Sequence, residues 1–197
     1  MLNSKDAEIV LGNIVIAVDK LEKCSDFSLL VPEVRVNLAY ALPEAKTRYD
    51  VAAIEGRITV VGGFPYAAGY PVFGASDHMA RLIIEARKYD RMVNAGINFK
   101  CDDTVIKIVM EYCKLHNLLF GWIDRSKEPE DISVQDGASM PWKIKQLVSS
   151  SSGLPRLFYE GSGWGKEPLF VALGENAVSV VDIAINIAKS YHKELAA

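Results

Sequence analysis

Asp50-Val51-Ala52-Ala53-Ile54-Glu55-Gly56-Arg57-Ile58-Thr59-Val60-Val61 decides the fold class. Residues 50–54 and 58–61 are apolar runs of strand length, joined by a short connection that contains glycine, and together they predict a hairpin. Hairpin partners are antiparallel, whereas parallel strands need a long crossover, so a sheet that holds this segment is not purely parallel. Helices and further strands alternate on both sides of it, and an antiparallel pair set among them predicts a mixed sheet.

Upstream, Val10, Ile14, Ala17, Val18 and Leu21 recur at intervals of three and four within residues 3–23, an amphipathic helix that Asn3 or Ser4 can cap. Residues 34–40 alternate apolar and polar, the period of a strand with one buried face. Downstream, the Gly- and Pro-rich residues 62–74 read as turns and loop. They lead to Ser76, which suits the N-cap of a helix carrying Met79, Leu82, Ile83 and Ala86. Strands follow over 93–99, 118–123, 157–159 and 169–173. Helices follow behind Asp102 or Asp103, over 141–148 from Pro141, and over 177–195. With no internal repeat and no long linker, residues 1–197 read as one α/β domain, a three-layer α/β/α sandwich with a mixed sheet.

Half the residues are hydrophobic and 24% are charged, enough apolar content for a substantial core. Lys plus Arg number 22 against 25 for Asp plus Glu, so the formal charge is −3. That balance argues against bulk nucleic acid or an anionic membrane as the main partner. The longest uncharged run, 58–76, contains two prolines and four glycines and does not read as a membrane span. Cys24, Cys101 and Cys113 are odd in number and lack CxxC spacing, which fits part-buried thiols in a reducing cytoplasm.

Three islands could carry chemistry. In Gly74-Ala75-Ser76-Asp77-His78-Met79-Ala80-Arg81, small residues approach a helix start whose free N–H groups and dipole favour an anion, and His78 and Arg81 add charge. An ordinary Ser-capped helix with a surface His and Arg has the same pattern. Gly161-Ser162-Gly163-Trp164-Gly165-Lys166-Glu167-Pro168 resembles a phosphate-cradling loop, with Gly163 and Gly165 admitting the backbone and Lys166 the charge. It is not a Walker A loop, since Glu160 stands where the first Gly is required and Glu167 where Ser or Thr would hold magnesium. A plain turn fits equally well. Asp124-Arg125-Ser126-Lys127-Glu128-Pro129 follows a strand, where Asp124 and Glu128 could hold Mg2+ or simply form a solvated loop. Arg57 is either a site residue or an exposed hairpin Arg. The aromatic residues of 64–73 either line a pocket for flat rings or pack a dimer.

Other chemistry lacks support. His78, His116 and His192 form neither HxH nor HExxH, and no GxSxG elbow is present. His192 reads as a solvent-side residue favoured by a helix C-terminus.

Taken in order, Pro32-Glu33-Val34-Arg35-Val36-Asn37-Leu38, Asp50-Val51-Ala52-Ala53 with Gly56-Arg57-Ile58, the block 74–81, Asp124-Arg125 with Glu128-Pro129, and Gly163–Pro168 resemble the successive blocks of one family. It is the archaeal-type thiamine phosphate synthase domain, often fused behind a hydroxymethylpyrimidine phosphate kinase, and the resemblance spans nearly the whole chain. It implies a fold of the class II aldolase (AraD-like) type. It also implies a reaction, in which hydroxymethylpyrimidine diphosphate and hydroxyethylthiazole phosphate give thiamine phosphate and pyrophosphate. The family's Arg and His associated with activity map onto Arg57 and His78. Ser76, Arg81, Arg125, Gly163, Gly165 and Lys166 are then expected to hold phosphates, with Asp124 and Glu128 on magnesium. Phosphorylated pyrimidine and thiazole would be the small-molecule partners, and the assembly a homo-oligomer, expected to be a dimer. Two alternatives accompany this one, a fragment of a fused kinase-synthase and a thiamine phosphate sensor. Related sensors typically lose the Arg and His that this chain keeps. An aldolase-like metal lyase has only fold analogy behind it.

Overall fold

A computed structural model describes residues 4–129, 139–162 and 167–197. The amphipathic periodicity at the N-terminus forms α1 (Ser4–Glu22), which turns Val10, Ile14, Ala17 and Leu21 inward. β1 (Leu38–Ala41), β2 (Val51–Ile54), β3 (Ile58–Val61), β4 (Phe64–Ala67), β5 (Pro71–Phe73), α2 (Asp77–Ala86), β6 (Ala95–Lys100) and α3 (Asp103–Leu115) follow. The chain continues through β7 (Phe120–Ile123), α4 (Ser139–Ser149), β8 (Leu157–Glu160), β9 (Leu169–Gly174) and α5 (Ala177–Leu195).

Seven strands form one mixed sheet in the order β5-β2-β1-β6-β9-β8-β7, and β3 and β4 pair separately. Every neighbouring pair in the large sheet is antiparallel except β7 and β8. Alternation puts Leu38, Ala52, Ile97 and Phe170 on one face, in a core shared with α1, α3 and α5. Ala39, Ala53, Val171 and Phe158 lie on the other face, against α2 and α4. Both faces are therefore covered by helices, as the mixed-sheet expectation required.

Three expectations change. Residues 50–61 are not a hairpin: β2 pairs with β1 and β5, while β3 pairs with β4. The edge of β2 that a hairpin partner would occupy is taken by β5, through Ile54 opposite Pro71. Gly56 and Arg57, at φ 71° and 70°, turn the chain off the sheet instead. The expected strand over 34–40 begins only at Leu38, because Arg35 at φ 67° breaks the extended run, and Val36 makes an isolated bridge to Ile58. Residues 62–74, read as turns and loop, contain β4 and β5. Their prolines are tolerated because β4 belongs to a two-stranded pair and β5 is an edge strand.

No helix among the described residues is long and apolar enough to cross a membrane. The three cysteines are free thiols. Burial pushes Cys101 up to about 12 and Cys113 to about 11, so neither is a reactive thiolate near neutrality.

Candidate active site

β7 and β8, the parallel pair, end together, and the Gly161 N–H donates to the Ile123 carbonyl at 3.1 Å. Gln146 on α4 fixes the exit of β7 by accepting from the Asp124 N–H at 3.1 Å and donating to the Asp124 carbonyl at 3.4 Å. The antiparallel registers make β2, β6 and β8 run in one direction, so the carboxyl ends of β2, β6, β7 and β8 share one end of the sheet.

Glu160 closes β8 there, 7% exposed, with its side chain toward the α2/α4 layer. Lys143 on α4, 5% exposed, donates to Glu160 Oε2 at 2.5 Å. Burial disfavours the charged carboxyl, but Lys143, and behind it His78 and Arg125, outweigh that and hold Glu160 below its ordinary value. Sequence reading missed this pair. The signal was Lys143, a charge on the face of α4 that also carries the buried Met140, Ile144 and Leu147.

His78 is an exposed residue in the first turn of α2. Ser76 caps that helix as expected, its Oγ accepting from the Met79 N–H at 3.3 Å, and Arg81 pairs with Asp77 at 2.8 Å. Arg125 approaches Glu128 at 3.7 Å. Lys143 thus contacts the Glu160 carboxylate directly, and His78 and Arg125 act on it electrostatically from further off.

Arg57 lies in a different setting. It follows the carboxyl end of β2, at the same end of the sheet as Glu160 but with β1, β6 and β9 between β2 and β8. The Arg57 guanidinium donates to the Val34 carbonyl. Glu167 accepts from the Val34 N–H at 2.7 Å and the Glu33 N–H at 3.3 Å. Asn98 binds the same segment from the sheet, accepting from Asn37 N–H at 2.6 Å and donating to the Arg35 carbonyl at 3.2 Å. What the two clusters share is the β8–β9 connection, with Glu160 at its start and Glu167 at its end. Gly163, Gly165 and Lys166 of that connection lie outside the described residues.

The expected metal ligands are occupied by protein donors. Asp124 accepts from Ser126 N–H at 3.1 Å and Ser126 Oγ at 2.6 Å, and pairs with Lys127 at 3.4 Å. Glu128 accepts from the Ser139 hydroxyl and faces Arg125. No cluster of three or more metal-ligating side chains exists among the described residues. Asp124 and Glu128 therefore do not fit a dedicated magnesium site.

Residues 13–186 match the family Thiamine-phosphate synthase ThiN. The chain belongs to the ThiN family. It is 35% identical over 181 residues to the thiamine-phosphate synthase ThiN of Methanothermobacter thermautotrophicus, covering 92% of this chain and 93% of that one. It is also 35% identical over 187 residues to the bifunctional thiamine biosynthesis protein ThiDN of Methanocaldococcus jannaschii, 94% of this chain but 42% of that protein. The crystal structure of a C-terminal domain of phosphomethylpyrimidine kinase superposes with a TM-score of 0.87 at 29% identity, covering 92% of this chain and 99% of that one. A sugar-phosphate aldolase from Thermotoga maritima reaches only 0.45 at 13% identity, too low to assign this ThiN fold to the aldolase type.

Proposed function

We propose that this ThiN chain joins hydroxymethylpyrimidine diphosphate to hydroxyethylthiazole phosphate, releasing thiamine phosphate and pyrophosphate. The observation that carries the proposal is the pair of clusters bracketing the β8–β9 connection. Lys143 holds Glu160 at its start, with His78 and Arg125 acting on that carboxylate from further off, and at its end Glu167 accepts from the Val34 N–H while Arg57 donates to the Val34 carbonyl. The Arg57 guanidinium and the His78 imidazole are donors of the kind that suits phosphorylated ligands.

The bond between the pyrimidine methylene and the diphosphate oxygen breaks, its electron pair leaving with the diphosphate. The thiazole nitrogen lone pair then forms the new C–N bond. The group needing stabilisation is the leaving diphosphate. His78 donates a hydrogen bond or proton to it, Arg57 meets its growing charge, and Arg81, Lys166 and the amides of Gly163 and Gly165 hold phosphate oxygens.

The same proposal takes residues 1–197 as one synthase-like domain of class II aldolase (AraD-like) type, supported by a single large sheet covered on both faces. Free thiols support a cytoplasmic setting. Val60, Val61, Phe64 and Tyr66, exposed on β3 and β4, support a homo-oligomer.

The test is product formation from the two purified substrates. Arg57→Ala is expected to lower turnover about 100-fold or more. His78→Gln is expected to lower kcat more than it raises KM. Wild-type protein that binds thiamine phosphate without forming it would make the chain a sensor, and near-normal turnover in Arg57→Ala would remove that residue from the chemistry.

A further inference from the structure

Among the described residues, three that are not glycine adopt a left-handed backbone, Arg35 at φ 67°, Arg57 at φ 70° and Asn117 at φ 52°. Asparagine visits that region routinely, but for arginine it is a strained conformation that glycine would take freely. The two arginines are also neighbours in space. Val36 and Ile58, the residues that follow them, exchange both backbone hydrogen bonds, at 3.0 and 2.9 Å. The Arg57 guanidinium donates to the Val34 carbonyl, which belongs to the peptide unit leading into Arg35. A single peptide unit therefore joins the Arg57 guanidinium to the Arg35 backbone.

The surroundings hold Arg35 in its strained shape. Its N–H donates to the Pro32 carbonyl at 2.9 Å, and its carbonyl accepts from Asn98 Nδ2 at 3.2 Å. Glu167 fastens the two preceding N–H groups, at 2.7 and 3.3 Å. Both arginines are exposed, and no ion pair among the described residues takes either guanidinium. Arg57 spends one N–H on Val34 and Arg35 spends none, so most of their donors remain open to a ligand.

We infer that Arg35 is the second arm of an arginine clamp, binding the diphosphate of the pyrimidine substrate together with Arg57. The inference rests on the synthase reading for the identity of the anion, and deepens it with a residue which that reading does not use. Two adjacent guanidinium groups repel each other, and an anion between them removes that repulsion. A diphosphate offers one phosphoryl group to each planar fork. Backbone strain at Arg35 then serves preorganisation, since the segment is already fixed before the ligand arrives.

The experiment titrates the full chain calorimetrically with inorganic pyrophosphate and, separately, with hydroxyethylthiazole phosphate, and follows thermal melting and turnover in parallel. Arg35→Gly is the informative variant, because glycine takes φ 67° without strain and the fold is kept. It is expected to weaken pyrophosphate binding about 10- to 100-fold and to leave the thiazole phosphate within about twofold. Its thermal midpoint should be unchanged or up to about 4 °C higher. Arg35→Lys, which restores the charge without the fork, should recover part of the lost affinity. A wild type that does not bind pyrophosphate, or an Arg35→Gly affinity within about twofold of it, overturns the inference. So does a loss that falls on the thiazole phosphate instead, or one accompanied by a lower midpoint, which would make Arg35 structural. Arg35-dependent pyrophosphate binding in a chain that forms no thiamine phosphate supports the clamp and sinks the synthase reading.

Discussion

Lys143 and Glu160 show what a buried charge costs and what it secures. Both side chains are more than nine-tenths buried. Lys143→Met alone strands the carboxylate and is expected to lower unfolding free energy by about 3–5 kcal/mol, whereas Lys143→Met/Glu160→Leu should fall within about 2 kcal/mol of wild type. Urea denaturation of the single and double variants measures the difference. At the same scale, iodoacetamide at pH 8 is expected to modify Cys24 first and to reach Cys101 and Cys113 only after unfolding, since burial keeps those two thiols protonated. Ser76 was legible from sequence because a cap and its helix lie three residues apart. The partnership of Lys143 and Glu160 was not, because α4 and β8 meet only in the folded sheet. His192 is likewise not merely solvent-side: it pairs with Asp26, 166 residues away.

Helices were readable almost to the residue because their hydrogen bonds and their periodicity are local. α5 spans Ala177–Leu195 as expected, capped by Asn176. Strand positions were less legible, since β4 and β5 lie in residues read as loop and β1 begins only at Leu38, and strand partners were not legible at all. The run 50–61 holds two strands of the expected extent whose partners come from elsewhere, since topology awards the edge of β2 to β5. Close packing between elements was also hidden. A Cβ at Gly121 on β7 would stand 2.5 Å from Leu147 Cδ1 and 2.7 Å from Pro155 Cγ. The leucine can swing away and the proline ring cannot. Gly121→Ala is therefore expected to destabilise by about 1–3 kcal/mol and to loosen α4 from the sheet, read as a lower thermal midpoint and faster amide exchange in α4.

Several carboxyl groups across the molecule are held below their ordinary values. Glu160 is one, by Lys143 against its burial. Asp102 is another, where the Val105 N–H, Lys100 and Tyr191 outweigh burial. Asp50 is a third, chiefly through the Lys46 N–H. Each binds a proton less readily folded than unfolded, so its contribution is complete above the ordinary carboxylate range and is lost as pH falls through the folded-state value. The urea midpoint is expected to decline as pH drops below about 4.5, the ordinary glutamate value. A midpoint flat down to pH 3 would contradict these pairings. The candidate blocks 74–81, 124–129 and 161–168 were legible, while the placing of Asp124 beside Glu160 depends on the one parallel pair in an otherwise antiparallel sheet.

The sheet's longest ladder joins β6 to β9, pairing Ala95 with Gly174 and Lys100 with Leu169. A nascent chain exposes β6 some seventy residues before its mate exists, and loop closure over that distance carries a large entropic toll. Completion of the sheet must therefore wait for synthesis to pass Gly174, and until then Phe99 lacks Phe170, its stacking partner at 5.4 Å. Ribosome-bound chains stopped before residue 169 should remain protease-sensitive, and protection should arrive in one step once β9 has emerged.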